Sequence, residues 1–296
     1  MAIGHAHEHP HAASRRRLAL VLGLTSAFVA VEVIAGFLTG SLALIADAGH
    51  MLTDAAGLVL ALAAMKFAER PPSPRRTYGY HRVEILAALT NGLVLLGVAG
   101  YILSEAWQRF LTPHPVAGPE VLAVATVGLL VNLSGAILLR TDARASLNVR
   151  GAYNEVVADT LSSVGVIAGA AVVTATGWFW VDTLVAVGIA LFVLPRTWAL
   201  LKEALQVLLE GTPREVDIVT LRTAMEGVPG VKAIHDLHVW TLTSGLHALS
   251  AHAVLVEGAT HREVLEALRS RVTDGFPISH VTVQLEERCC GEHAHA

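Results

Sequence analysis

The chain has 296 residues, 53 % of them apolar and 16 % charged, with a mean hydropathy of +0.55. Soluble domains average about 25 % charged residues, so an ordinary soluble enzyme is excluded, as are a disordered chain and a fibrous repeat. A formal net charge of −4 gives no basic footprint for nucleic acid, and the two cysteines are the adjacent pair Cys289–Cys290, which leaves no disulfide framework.

In chain order, a histidine-rich head over 1–14 comes first, its first twelve residues expected to be disordered. Six apolar stretches of bilayer-spanning length follow, at 18–38, 42–65, 84–108, 118–139, 152–176 and 179–208. Arg15–Arg17, the Lys66–Arg82 loop and the Arg140–Arg150 loop carry most of the positive charge, which places both termini in the cytoplasm. Charge density rises after Glu210. The domain 211–288 reads as a helix at 213–227, strands at 231–242 and 246–256 around Thr243-Ser244-Gly245, a helix at 260–274 and a strand at 279–286. That α-β-β-α-β order predicts a small open α+β sandwich, metallochaperone-like, with Trp240 in its core. A Cys/His tail, 289–296, closes the chain.

Ionisable residues inside spans are costly and mark function. The second span holds His50 and Asp54, the fifth Glu155 and Asp159, each pair four apart and so on one helix face. Facing each other, the two pairs would set one nitrogen and three carboxylates around a point, a donor set for a divalent metal. Protons or a metal must neutralise those carboxylates, which implies exchange between the two. Asp47 reads either as an acceptor orienting the His50 ring or as a span-end residue. Asn132 reads as a packing group, and Glu32 takes no role from the pattern. No HExxH lies within the six spans, which argues against an intramembrane zinc protease, and the chain is not expected to be an enzyme.

Several segments resemble the cation diffusion facilitator family, in its bacterial zinc/cadmium/cobalt exporter form. They are Ser41-Leu42-Ala43-Leu44-Ile45-Ala46-Asp47-Ala48-Gly49-His50-Met51-Leu52-Thr53-Asp54, Tyr78-Gly79-Tyr80-His81-Arg82-Val83-Glu84, Ala158-Asp159-Thr160-Leu161-Ser162-Ser163 and His235-Asp236-Leu237-His238-Val239-Trp240. The resemblance covers nearly the whole chain. It implies a homodimer in the inner membrane, with a six-helix domain at 15–210 and a cytoplasmic dimerisation and metal-binding domain at 211–288. It implies proton-coupled efflux of Zn²⁺ by alternating access, with Cd²⁺ and Co²⁺ as further cargo. The transport ligands it implies are His50, Asp54, Asp159 and the residue at 155, which is Glu here and His in zinc-transporting relatives. A hard oxygen in place of a nitrogen should relax discrimination against Mn²⁺. It further implies a zinc site on the cytoplasmic domain from His235, His252, His280 and Glu286, and a charge interlock between Arg82 and Glu210. Pairing Leu242 with Leu246 across the hairpin puts position 235 opposite about 253, so His235 and His252 fall within a residue of facing each other. The alternative function is a membrane-bound metal sensor that does not transport.

Overall fold

The computed structural model describes residues 10–140 and 147–287. Its helices are α1 (Pro10–Thr39), α2 (Leu42–Ala68), α3 (Arg82–Leu111), α4 (Gly118–Leu139), α5 (Leu147–Thr176) and α6 (Trp180–Leu208). They are followed by α7 (Ile218–Glu226), β1 (Val231–Thr243), β2 (Leu246–Leu255), α8 (His261–Gly275) and β3 (His280–Glu286). Among the described residues, five helical segments are long and apolar enough to cross a membrane: Ala19–Thr39, Arg82–Leu111, Gly118–Leu139, Ala152–Thr176 and Trp180–Leu208. The remaining long helix is α2, with 27 residues. Helix α1 starts earlier than the apolar stretch, so 10–12, expected to be disordered, are helical. Proline is at home there, because the first helical N–H has no intrahelical partner to lose. The rest of the expected disorder, 1–9 and 289–296 with both cysteines, lies outside the described residues.

The chain divides into two compact units, Met1–Val59 with Thr90–Ala199, and Leu60–Leu89 with Leu200–Ala296. The first is a helical bundle. Its core is built from Leu42, Leu44 and Ala46 on α2, Ala99 and Ile102 on α3, Val121 and Ala125 on α4, Val166 and Ala170 on α5, and Ala186 and Ala190 on α6. The recurrent alanines let helix backbones approach closely, as membrane bundles require. Helix α4 packs on α1 and α5. At Gly128 a Cβ would stand 2.6 Å from a ring carbon of Phe28, so only glycine fits.

The second unit carries a three-stranded sheet in the order β1-β2-β3. Strands β1 and β2 form an antiparallel hairpin, closed by Gly245 at φ +73°, and β3 runs parallel to β2 after the crossover through α8. Every second residue of β2, from Leu249 through Ala251 and Ala253 to Leu255, enters the core, where Val264, Leu268 and Val272 of α8 meet them at helical spacing.

Three expectations are corrected in this unit. Helix α7 begins at Ile218 rather than 213. Pro213 to Val216 form a turn, and Asp217 caps the helix by accepting from the Thr220 N–H at 2.7 Å. Hydrogen bonds from Thr220 hold the Asp217 carboxyl below its ordinary pKa range. The hairpin pairs Thr243 with Leu246, and irregularities at 241/243 and 235/238 bring His235 opposite His252, not 253. Trp240 is only partly buried and lines an open cavity with Arg75, Arg82 and His238. Its neighbours Val239 and Leu242 are the buried ones.

Candidate metal centre

In the helical unit, α2 contributes His50 and Asp54 and α5 contributes Glu155 and Asp159. Nδ1 of His50 lies 3.3 Å from Oδ2 of Asp54, and Nε2 lies 3.5 Å from Oδ1 of Asp159. His50 Nδ1, Asp54 Oδ2 and Asp159 Oδ1 are buried and have no hydrogen-bond partner among the described residues. Buried polar atoms without partners are expensive. A tetrahedral ion with bonds near 2.0 Å wants its donors about 3.3 Å apart, which the His50–Asp54 contact matches.

The four expected ligands do not converge on one point. His50, Asp54 and Glu155 each offer an atom within 4.8 Å of the other two. Asp159 faces the opposite ring nitrogen, and one imidazole cannot turn both nitrogens on a single ion. Asp159 thus stands on the Nε2 side of the ring, and Nδ1 is the nitrogen turned toward Asp54. Asp47 does not do that job. Its carboxylate accepts from the Ser162 hydroxyl of α5, and it is buried with Oδ2 unpartnered among the described residues. Asn132 donates to Ser163 Oγ at 3.3 Å, linking α4 to α5. Glu32 is buried next to the Gly128 contact, 1 % exposed.

Glu155 has a partner that sequence reasoning missed. Arg196 of α6 grips both its carboxylate oxygens, Nη1 to Oε1 at 2.8 Å and Nη2 to Oε2 at 2.7 Å. The signal was present, because an arginine inside an apolar span needs a named partner as much as an acid does.

A second cluster sits on the sheet. Glu286 of β3 accepts from His235 Nε2 at 3.1 Å and from His252 Nδ1 at 2.7 Å, and the two rings lie 5.2 Å apart. Gln284 donates to the same carboxylate at 3.0 Å. His280 stands apart at the start of β3, its ring edge-on to Tyr78 at 5.6 Å. Also in this unit, Arg82 Nη2 meets Glu210 Oε1 at 2.8 Å, and Glu84 accepts from the hydroxyls of Thr243 and Ser244.

Residues 18–209 match the cation efflux transmembrane domain. The chain belongs to the cation diffusion facilitator family. The family's second part follows, with residues 213–288 matching the cation efflux protein cytoplasmic domain. The metal cation efflux system protein CzcD of Cupriavidus metallidurans is 49 % identical over 291 residues, 98 % of this chain and 92 % of that protein. The cadmium, cobalt and zinc/H(+)-K(+) antiporter of Bacillus subtilis is 40 % identical over 284 residues, 95 % of this chain and 91 % of that protein. The zinc transporter ZitB of Escherichia coli is 40 % identical over 300 residues, 98 % of this chain and 96 % of that protein. This cation diffusion facilitator is a multi-pass membrane protein, with α1 to α6 as its transmembrane helices and α7 to β3 as its α+β domain.

Proposed function

We propose that the chain exports divalent transition-metal ions, Zn²⁺ first, from the cytoplasm in exchange for protons, as a homodimer in the inner membrane with both termini cytoplasmic. The observation that carries this reading is the convergence of His50, Asp54 and Glu155 inside membrane helices, with buried polar atoms left unpartnered. The names of the relatives, a metal cation efflux protein, a cadmium, cobalt and zinc antiporter and a zinc transporter, support it.

In this reading the ion enters from the cytoplasm onto His50 Nδ1, Asp54 and Glu155, while Asp159 orients the ring or joins as a ligand in another state. The bundle then rocks to expose the site outside. Protons displace the ion from the carboxylates and are carried inward. The Glu155 oxygen opens the cargo range toward the harder Mn²⁺, with Cd²⁺ and Co²⁺ as further cargo. Residues 15–210 would form the transport domain and 211–288 the dimerisation and metal-binding domain. His235, His252 and Glu286 fit a regulatory metal there, since one buried carboxylate already faces two imidazoles. Such a metal would clip three strands together. His280 would have to contribute from elsewhere in the dimer.

That sheet cluster also favours the second reading, a membrane-bound sensor that binds metal without moving it. Flux in proteoliposomes separates the two. Zn²⁺ moving against a proton gradient, abolished by Asp159→Ala, supports the exporter. Binding with no flux supports the sensor.

A further inference from the structure

Arg196 carries a permanent positive charge near the middle of α6, since a guanidinium is not deprotonated in proteins. A cation at that depth persists only when paired. Its partner is Glu155, held by two parallel hydrogen bonds of 2.7 and 2.8 Å, the fork geometry that suits a carboxylate. The Arg196 side chain is 67 % exposed on the protomer and that of Glu155 25 %, so the carboxylate is the inner member of the pair. Pro195, immediately before, has no N–H to give to the Leu191 carbonyl, which loosens α6 at the point where the arginine leaves it.

Among the four residues His50, Asp54, Glu155 and Asp159, with the imidazole neutral, the carboxylates bring three negative charges; the buried Asp47 and Glu32 stand outside this count. Arg196 reduces the total to two, which a divalent cation neutralises. The arginine does not bar Glu155 from the ion, because a carboxylate has about four lone-pair sites and the fork occupies one on each oxygen.

We propose that Arg196 is the resident counter-cation of the transport site, a specificity-determining residue that cancels the charge of Glu155 and leaves the site balanced for a divalent ion. The inference rests on the transport-site reading above. It assigns Arg196 two effects. It keeps the net field low enough for the ion to leave, and it makes the charge at position 155 tolerable. Removing it leaves one excess negative charge that holds the ion. Removing the charge of Glu155 alone leaves Arg196 repelling it.

The test is Zn²⁺ flux into proteoliposomes of the full-length protein under an imposed proton gradient, comparing Arg196→Gln, Arg196→Lys, Glu155→Gln and the double variant Glu155→Gln/Arg196→Gln, with Asp159→Ala as control. One unit charge beside a divalent ion in a site of effective dielectric near 20 shifts affinity by at least about ten-fold. Arg196→Gln should therefore lower KM and kcat together, because release becomes slow. Glu155→Gln should raise KM. The double variant should return KM toward the wild-type value, and Arg196→Lys should stay near it. The double variant and Arg196→Lys keep the test decisive if Arg196→Gln does not fold. A double variant no better than Glu155→Gln, or Arg196→Gln with raised KM, overturns the inference while wild-type flux and its loss in Asp159→Ala leave the transport reading standing. Wild-type protein that moves no Zn²⁺ overturns both.

Discussion

The carboxylate of Asp182, in the first turn of α6, closes the N-terminus of α2. It accepts from the Ser41 hydroxyl and from the N–H groups of Leu42 and Ala43, the latter two at 2.7 and 3.3 Å. The first N–H groups of a helix have no intrahelical acceptor, and here another helix supplies it. Ser41 in turn accepts from the Leu44 N–H at 3.1 Å. The start of α2 is thereby fixed, and with it the height of His50 and Asp54. Asp182→Ala leaves these buried donors unsatisfied and should cost about 2–3 kcal/mol, read as a lowered midpoint of thermal unfolding in detergent. Asp182→Asn, which keeps one oxygen acceptor, should recover part of the loss. A wild-type midpoint in Asp182→Ala would remove the cap from the account.

Gly128 is held to glycine by Phe28, itself 5 % exposed and unable to swing into open space. Gly128→Ala should destabilise the bundle by about 1–3 kcal/mol through overpacking. Combined with Phe28→Leu, the penalty should shrink, giving a favourable coupling in a double-mutant cycle. Equal destabilisation with Phe or Leu at 28 would show that the contact is not the cause.

How far the sequence carried the reading depends on the range of each interaction. Apolar length located the six long helices, and alternation located the sheet, because both are properties of consecutive residues. The His50–Asp54 and Glu155–Asp159 pairs were legible for the same reason. The hairpin register was off by one, because irregularities at 241/243 and 235/238 leave no mark in the alternation. The Asp182 cap and the Arg196–Glu155 fork each join residues far apart in the chain, so the sequence marks an arginine inside its span but does not name its partner. The Asp159 position is a related case. Spacing says which helix face it shares, but only the packing of α5 against α2 decides which ring nitrogen it meets.

Position 155 ties selectivity to charge. Glu155→His alone strands Arg196 without its carboxylate and should lose most Zn²⁺ flux, since breaking a partly buried pair on one side is strongly destabilising. Glu155→His with Arg196→Gln should restore Zn²⁺ flux and discriminate more strongly against Mn²⁺, the nitrogen donor favouring the softer ion. Competition of Mn²⁺ with Zn²⁺ uptake measures this. Unchanged competition in the double variant would separate residue 155 from selectivity.

The sheet cluster should bind metal independently of transport. Zn²⁺ should raise the unfolding midpoint of the wild-type full-length protein by mass action, and a chelator should reverse the rise. Glu286→Gln together with His252→Ala should reduce that shift sharply while Zn²⁺ flux continues. Loss of all flux with the cluster removed would place it in the transport path instead.

The measurement that bears most directly on the central claim is Zn²⁺ uptake into proteoliposomes driven by an imposed pH gradient, for wild type and Asp159→Ala side by side. Uptake by wild type should collapse when the gradient is dissipated, and Asp159→Ala should show none. Uptake that ignores the gradient, or equal uptake by the two proteins, would contradict it.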